Sequence, residues 1–413
     1  MDKVAIVVQR YGEEINGGAE VHARLLAERL KERYEVDVLT SCSLAYPDWG
    51  NHYPAGEEVI NGVRVLRFPD EGEKRRENRR LGRYLRGNRR YYDEPYTPKN
   101  FISLSIKRLW YKKRKNHDYL FDYWIQRHGP VCKEMISYIE QEESRYKVFI
   151  FLNYPFYPTY FGLQKTSVKS ILIPLAHDDS MLYIPGFGKM FSLPKFIMYN
   201  TESEKKLLES VHPVTRTIRS DIAGVGFDLP VLNDNTKPPI SAPYFVYIGR
   251  VDAGKGCPEL IHYFSGLNKS HPDIKLVMIG KNNLKAAVKN DNIIFTGFIG
   301  EEEKLLYLQH SMALIIPSRY ESLSMVTLEA MSFGKPVLAN GYCDVLKGHI
   351  EKSRAGFLYY DEKDFIEGAG KIINLSEDDK KEIAQNGRSY AAENYQWKSV
   401  MAKFDDAIEY VGS

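Results

Sequence analysis

The sequence predicts an α/β protein with two doubly wound parallel sheets, and three observations support this prediction. Short apolar runs typical of buried strands alternate with amphipathic helical stretches along most of the chain. A proline-rich stretch near the middle, residues 229–243, interrupts the alternation, and we interpret it as a linker between two domains. The chain has 413 residues, which is enough for two hydrophobic cores.

The first predicted domain covers residues 1–232 and begins with a strand, a helix and a second strand. The helix is expected at about residues 19–34, because Val21, Leu25, Leu26 and Leu30 recur near the helical period. This order is typical of the βαβ unit of a parallel sheet. The runs predicted as strands in this domain are residues 4–8, 36–40, 63–68, 148–152 and 170–176.

The second predicted domain covers residues 233–395 and repeats the alternation of strands and helices. A final helix is expected at about residues 398–410, in a C-terminal segment of residues 396–413. Ligands of doubly wound sheets bind beyond the carboxyl ends of the strands, so candidate residues are sought there. The runs predicted as strands are residues 244–249, 275–279, 293–296, 313–317 and 337–339.

Composition excludes several classes of protein. The net charge of +3 does not by itself indicate a nucleic-acid partner, and no apolar run approaches the roughly 20 residues of a membrane-spanning helix. The mean hydropathy of -0.40 fits a globular protein. Four scattered cysteines without C-x-x-C spacing suggest neither a metal site nor a disulfide framework. A reducing cytoplasm is therefore the expected compartment.

One segment in the second half carries the most informative pattern of the chain. Glu321 and Glu329 are separated by seven residues and lie between two of the predicted strands. A helix is expected to start between them, with backbone N–H groups of Leu323, Ser324 and Met325 at its N-terminus, where anions bind well. The segment therefore predicts a phosphate site flanked by two carboxylates that can accept hydrogen bonds from sugar hydroxyls.

This segment, which ends in Gly-Lys-Pro at residues 334–336, resembles the E-x7-E signature of glycosyltransferase family 4. Members of that family are retaining nucleotide-sugar transferases with the GT-B fold, in which two Rossmann-like domains face each other across a cleft. The resemblance implies that Glu321 positions the donor sugar and offsets developing positive charge, while Glu329 binds the ribose hydroxyls. The family usually has glycines where this chain has Ser322 and Ser324, which keeps the N–H donors and allows a tighter or more polar sugar pocket.

A second stretch, residues 247–256, provides two cations. Arg250 follows a predicted strand, and Lys255 begins the next helix between two glycines that allow close approach of the backbone. Both side chains suit phosphate oxygens. The arrangement resembles the Arg/Lys pair with which the family binds the donor diphosphate. The alternative is a loop arginine in a salt bridge and a solvated helix lysine.

The resemblance has three further implications. The nucleotide base would lie against residues 297–300, which adds Phe298 and Ile299 to the donor-binding residues. The final helix would pack back on the N-terminal domain. No metal and no other cofactor would be required, because the two cations and the helix N-terminus supply the positive charge.

Two positions in the first half are also candidates. Gly17 and Gly18 open the first helix, where backbone N–H groups can face a phosphate, and family members carry Gly-Gly in this turn. The alternative is a simple tight turn. His177 follows a predicted strand and has Asp178 and Asp179 beside it to orient its ring. In similar enzymes a histidine at this place contacts the transferred sugar, whereas a lone histidine is otherwise more often structural.

Residues 71–114 do not fit the alternation of strands and helices, and we interpret them as an insertion in the first domain. They are dense in Arg, Lys and Tyr. Such residues suit a lipid-linked anionic acceptor or attachment to a membrane surface. A solvated helical surface explains them equally well, and a nucleic-acid partner is not expected.

The sequence thus predicts a metal-independent hexosyltransferase with a nucleotide-sugar donor. It would move a hexose or deoxyhexose to a glycan or lipid-linked glycan, in the assembly of cell-surface polysaccharide or glycoconjugate. The expected location is the cytoplasm, with a peripheral position at the inner face of the cell membrane left open. One alternative is another GT-B enzyme, an epimerase or a phosphorylase, although no pyridoxal-phosphate lysine with its pocket is recognisable. The other is a non-catalytic sugar-binding scaffold.

Overall fold

The chain folds into two units, residues 1–223 together with 401–413, and residues 224–400. The computed structural model describes residues 1–15, 17–72, 75–93, 117–227, 237–284 and 290–413. Much of the predicted insertion, residues 73–74 and 94–114, lies outside the described residues. So does the first part of the predicted linker, residues 229–236.

The first unit is built on one sheet of mostly buried strands. In the described part these are β1 (Lys3–Val7), β2 (Glu35–Ser41), β3 (Gly56–Ile60), β4 (Val63–Phe68), β5 (Val148–Leu152), β6 (Ser170–Ile173), β7 (Phe196–Tyr199) and β8 (Arg219–Ile222). Their order in the sheet is β3-β4-β2-β1-β5-β6-β7-β8, and only the β3–β4 pair is antiparallel. Because β5 and β6 are buried along their whole length, they read as continuous apolar runs.

Helices cover this sheet. They are α1 (Gly18–Leu30), α2 (Arg75–Asp93), α3 (His117–Ile125), α4 (Lys133–Glu142), α5 (Tyr157–Lys165), α6 (Phe187–Met190) and α7 (Glu202–Val211). Leu26 and Leu30 of α1 are buried, as the helical period predicts. The predicted strand at residues 170–176 ends early, at Ile173, because Pro174 has no N–H group for the ladder.

The second unit has a six-stranded parallel sheet in the order β11-β10-β9-β12-β13-β14. Its strands are β9 (Tyr244–Ile248), β10 (Lys275–Ile279), β11 (Ile293–Gly297), β12 (Ala313–Ile316), β13 (Val337–Asn340) and β14 (Gly356–Tyr359). Its helices are α8 (Cys257–Leu267), α9 (Glu301–His310), α10 (Met325–Ser332), α11 (Asp344–Ser353), α12 (Glu362–Ile373) and α13 (Glu377–Tyr395). The chain winds outward from β9 to one edge, then returns to start β12 on the other side of β9.

The last helix is α14 (Trp397–Gly412). Most of this helix, with the rest of residues 401–413, belongs to the first unit. There Asp405 accepts hydrogen bonds from the side chains of Arg33 and Tyr34, which lie just after α1. The ammonium group of Lys147 lies 2.7 Å from the carboxylate of Glu409. These contacts attach the end of the chain to the N-terminal sheet.

Helix α2 belongs to the predicted insertion and is amphipathic. Its inner face presents Asn78, Gly82 and Leu85, which are buried, and a Cβ at Gly82 would lie 2.7 Å from the indole nitrogen of Trp124 on α3. The outer face carries the side chains of Arg79, Arg80, Arg83 and Arg86, which line one concave surface. No helix among the described residues has the length and apolar character needed to cross a membrane.

Candidate active site

The second sheet reverses its strand order between β9 and β12. These two strands are parallel neighbours, with Phe245 paired with Ala313, and their helices leave in opposite directions. In doubly wound sheets the loops that follow such a pair of strands diverge and leave a crevice at the carboxyl edge, where ligands bind. The two most informative predicted segments follow these two strands.

The loop after β9 holds both predicted cations. Arg250 is 61% exposed, and its Nε lies 3.6 Å from the carboxylate of Asp252. Asp252 also accepts a hydrogen bond of 3.0 Å from the backbone N–H of Lys255, so it fixes the turn that presents the lysine. The next residue, Gly256, has a φ of 76°, and a Cβ there would lie 2.5 Å from the carbonyl oxygen of Pro317. Glycine is therefore required where this loop meets the end of β12.

The loop after β12 brings Glu321 to this lysine. The Nζ of Lys255 lies 2.7 Å from Oε1 of Glu321, and both side chains are largely buried, at 29% and 16% exposed. The two residues come from different strands and are brought together by the sheet topology.

Helix α10 begins at Met325, the last of the three residues predicted to form the anion site. Leu323 and Ser324 precede it, and Ser324 adopts a left-handed conformation with φ 62° and ψ 69°. Its Oγ lies 2.9 Å from the hydroxyl of Thr327. Among the described residues, the backbone N–H groups of Ser324 and Met325 have no hydrogen-bond acceptor. These N–H groups, at the positive end of the helix dipole, are available to an anion.

Glu329 lies on α10, where Leu328, Ala330 and Met331 around it are buried as predicted. Its Oε2 lies 2.9 Å from Nζ of Lys304 on α9, a partner that the sequence analysis missed. Burial alone would lower the pKa of Lys304, but Glu329 and Glu301 outweigh burial and raise it. The Glu329 carboxylate is thus held by a charged lysine and has one side still partly exposed.

The predicted base-binding turn follows β11. Gly297 has a φ of 73°, which allows the chain to turn sharply before α9. Phe298 is 69% exposed, whereas Ile299 packs against the core of the second unit. The ring of Phe298 is exposed and the space beside Gly297 and Gly300 is open, so a planar group could stack on this ring.

Gly17 and Gly18 lie at the start of α1 in the first unit, as predicted, but Gly17 faces a carboxylate of its own chain. A Cβ at Gly17 would lie 2.1 Å from Oε2 of Glu20. The other oxygen of Glu20 accepts hydrogen bonds from Arg10, at 2.8 Å from Nε, and from Gln9, at 3.1 Å. No motif in the sequence marks this Arg10–Glu20 pair, whose carboxylate lies beside Gly17.

His177 follows β6 and is partly exposed, at 38%. Its Nε2 lies 3.2 Å from Oδ2 of Asp179, and the other oxygen of Asp179 accepts the backbone N–H groups of Met181 and Leu182. One of the two expected aspartates therefore orients the ring. Asp178 instead accepts a hydrogen bond of 2.7 Å from the hydroxyl of Tyr183.

A buried carboxylate, Glu204 on α7, supports the loop of His177 and was not predicted. Its Oε1 accepts the N–H of Ala176 at 2.6 Å, and its Oε2 accepts the N–H of Asn200 at 2.7 Å. Burial raises the pKa of Glu204 to about 7, although both N–H groups and nearby His177 oppose the rise. Leu175, just before this loop, has a φ of 55°, so the backbone there is strained and needs such support.

The predicted residues therefore form two groups. Arg250, Lys255 and Glu321 gather with the N–H groups of residues 324 and 325 at the carboxyl edge of β9 and β12. This group combines two cations and free N–H donors with a carboxylate, so it can bind a phosphorylated ligand and accept hydrogen bonds from it. Gly17, Gly18 and His177 lie in the first unit, at the carboxyl ends of β1 and β6.

Part of the chain is similar in sequence to known proteins. Residues 233–392 match the sequence profile of the family described as glycosyl transferases group 1. An alpha-monoglucosyldiacylglycerol synthase from Streptococcus pneumoniae is 31% identical over 173 residues, which are 39% of this chain and 38% of that protein. The chain thus matches well under two thirds of this relative's length.

The fold resembles solved structures over nearly the whole chain. A sucrose-phosphate synthase from Thermosynechococcus elongatus matches with a TM-score of 0.66 at 15% identity, over 99% of this chain and 98% of that one. HepE from Anabaena, solved in complex with UDP and glucose, matches with a TM-score of 0.62 at 12% identity, over 99% and 100%. These likenesses confirm the predicted GT-B fold. The profile match of residues 233–392 is to a family of glycosyl transferases.

Glu204 gives the stability of the protein a testable pH dependence. Because its pKa is about 7 in the folded state and about 4.5 when unfolded, the folded state binds an extra proton between these values. The contribution of Glu204 to stability should therefore fall as pH rises from 4.5 to 7, by on the order of 3 kcal/mol, and then level off. Urea unfolding at several pH values measures this contribution as the difference in stability between wild type and Glu204→Gln.

Glu202→Gln is the matched control for this experiment, because Glu202 lies on the same helix with a side chain 44% exposed. This control should unfold with the wild-type slope. If Glu204→Gln keeps the wild-type slope as well, another group is responsible and the explanation is wrong.

Proposed function

We propose that this protein is a retaining glycosyltransferase that uses a nucleoside diphosphate sugar. It moves a hexose or deoxyhexose to a hydroxyl group of a glycan or lipid-linked glycan, in the assembly of cell-surface polysaccharide or glycoconjugate. The observation that carries the proposal is the contact of Lys255 with Glu321 where the strand order reverses, beside the free N–H groups of Ser324 and Met325. The profile match of residues 233–392 supports the same class of enzyme.

The donor diphosphate is proposed to bind Lys255, Arg250 and the start of α10. A diphosphate carries more negative charge than one carboxylate, so it competes well with Glu321 for Lys255. Glu329 is assigned to the ribose hydroxyls, since its carboxylate is held by Lys304 and accepts hydrogen bonds on its exposed side. The base is assigned to the turn of Phe298 and Ile299.

Catalysis then requires that the charges that develop on the sugar ring and on the leaving phosphate are stabilised. As the bond between the anomeric carbon and the diphosphate oxygen breaks, positive charge develops on the sugar ring and negative charge on the leaving phosphate. Glu321 is proposed to position the sugar and offset the positive charge, and Lys255, Arg250 and the N–H groups to stabilise the phosphate. The leaving phosphate accepts the proton of the attacking hydroxyl, and attack on the same face retains the anomeric configuration. His177 is assigned to contact the transferred sugar.

The acceptor is proposed to be anionic or lipid-linked. The arginine face of α2 is the surface by which the protein is proposed to attach to the membrane that holds this acceptor. Arg79, Arg80, Arg83 and Arg86 line one concave surface, and the carboxylate of Asp48 lies 3.5 Å from Arg79. The name of the Streptococcus pneumoniae relative refers to a diacylglycerol glycolipid. We therefore place the protein at the cytoplasmic face of the cell membrane.

A vesicle assay tests this attachment. Wild-type protein should sediment with vesicles containing phosphatidylglycerol and not with phosphatidylcholine vesicles, and 0.5 M salt should release it. Replacing Arg79 and Arg83 with Gln should reduce binding several-fold, while replacing Lys380 and Lys381 on α13 with Gln should not. Equal binding to both kinds of vesicle, or equal loss in both double variants, would contradict an α2 surface.

The donor proposal is tested by thermal shift against UDP, GDP, dTDP, ADP and CMP, with and without Mg²⁺. One nucleoside diphosphate should raise the melting temperature, and EDTA should not remove the effect. Lys255→Met should weaken the binding of that nucleotide by roughly tenfold or more, because a charge-assisted contact is lost. Lys269→Met, on the surface after α8, is the control. No stabilisation by any nucleotide would favour the scaffold alternative.

Glu321→Gln tests the role of the carboxylate in transfer. The glutamine keeps the size of the side chain but removes the charge, so turnover should fall at least about 100-fold while nucleotide affinity stays within a few-fold. Product analysis by NMR should show the donor's anomeric configuration retained. Unchanged turnover would remove Glu321 from the mechanism, and an inverted or epimerised product would point to a different enzyme.

A further inference from the structure

A buried histidine outside every predicted motif contacts the candidate donor site. His349 lies on α11 and is 1% exposed. Its Nε2 lies 2.7 Å from the carbonyl oxygen of Leu323, and its Nδ1 lies 2.9 Å from the hydroxyl of Tyr390 on α13. The ring thus joins the residue before Ser324 to two helices packed behind the site.

The hydrogen bonds assign the tautomer of His349. A carbonyl oxygen can only accept, so Nε2 must carry the proton and Nδ1 must accept from the Tyr390 hydroxyl. The ring of Tyr395 lies next to that of Tyr390, with the ring centroids 5.9 Å apart. Burial lowers the pKa of His349 to about 4, although its bond to Leu323 opposes this, so the ring is neutral at physiological pH. One arrangement of protons satisfies the whole chain of groups.

This contact determines where the next N–H group points. In a trans peptide the carbonyl oxygen and the following N–H point in opposite directions. Because His349 holds the Leu323 carbonyl, the N–H of Ser324 is directed away from His349. Ser324 is also left-handed without being glycine, a conformation that costs energy and must be held by its surroundings.

We propose that His349 is a positioning residue for phosphate binding. It fixes the Leu323–Ser324 peptide so that the Ser324 N–H faces the donor diphosphate, and Tyr390 keeps its ring in the required tautomer. The inference rests on the proposed function, since the phosphate belongs to the proposed donor. It adds a residue that neither contacts the ligand nor lies within the E-x7-E segment.

Binding of inorganic pyrophosphate, measured by calorimetry, tests the proposal. His349→Leu removes the donor to Leu323 and should weaken pyrophosphate binding roughly tenfold. His349→Gln keeps an N–H donor near the position of Nε2 and should stay within about threefold of wild type. Tyr390→Phe should fall between these two. His262→Leu is the control, because His262 is exposed and lies on α8 of the same unit.

Hydrogen exchange, followed by mass spectrometry, gives a second readout that needs no ligand. Exchange of the peptide covering residues 320–328 should be several-fold faster in His349→Leu than in wild type, His349→Gln or the control. If His349→Leu exchanges at the wild-type rate in that segment, or binds pyrophosphate within twofold of the wild-type affinity, the positioning role is overturned. If the wild type binds neither pyrophosphate nor any nucleotide, the donor proposal fails, and the exchange data alone decide whether His349 holds the loop.

Discussion

The reversal of strand order between β9 and β12 is the constraint on which the candidate site depends. It brings the loops after two strands, 66 residues apart at Lys255 and Glu321, into direct contact. That contact requires close approach of the backbones, which is why Gly256 faces the Pro317 carbonyl with no room for a side chain. A larger residue there would separate the cation from the carboxylate without touching either. The packing of the sheet therefore determines whether the two charged groups can meet.

The start of α10 shows how a site can depart from local preferences. Ser324 occupies a conformation that favours glycine. The strain is offset by its contact with Thr327 and by the hydrogen bond between His349 and the preceding carbonyl oxygen. Glycine would adopt this turn without support but would also leave it easily. A serine held by buried partners gives a stiffer anion site, which benefits binding because less ordering is needed when the ligand arrives.

The sequence predicted most of the strongly apolar strands and the residues at their ends, because both are local properties. It missed β3, β7, β8 and β14. Of these, β3, β8 and β14 are exposed or partly exposed edge strands, and β7 is buried but only four residues long. It also missed Lys304, Glu204 and His349. Each is a single residue of a common type whose partner is distant along the chain, so no spacing or composition marks it. For the same reason Gly17 was expected to face a phosphate, although Glu20 already lies beside it.

Four cations at or near the predicted residues are already paired with a carboxylate: Lys255 with Glu321, Lys304 with Glu329, Arg250 with Asp252 and Arg10 with Glu20. Lys255 is partly buried and requires such a partner, and a phosphate that binds there must replace Glu321. Replacement at Lys255 frees Glu321, the residue proposed to meet the sugar. A nucleotide without its sugar would leave that carboxylate without a new partner, whereas the intact donor supplies hydroxyl groups to it. In the proposed function, the pairing would couple recognition of the diphosphate to recognition of the sugar through one lysine and one glutamate.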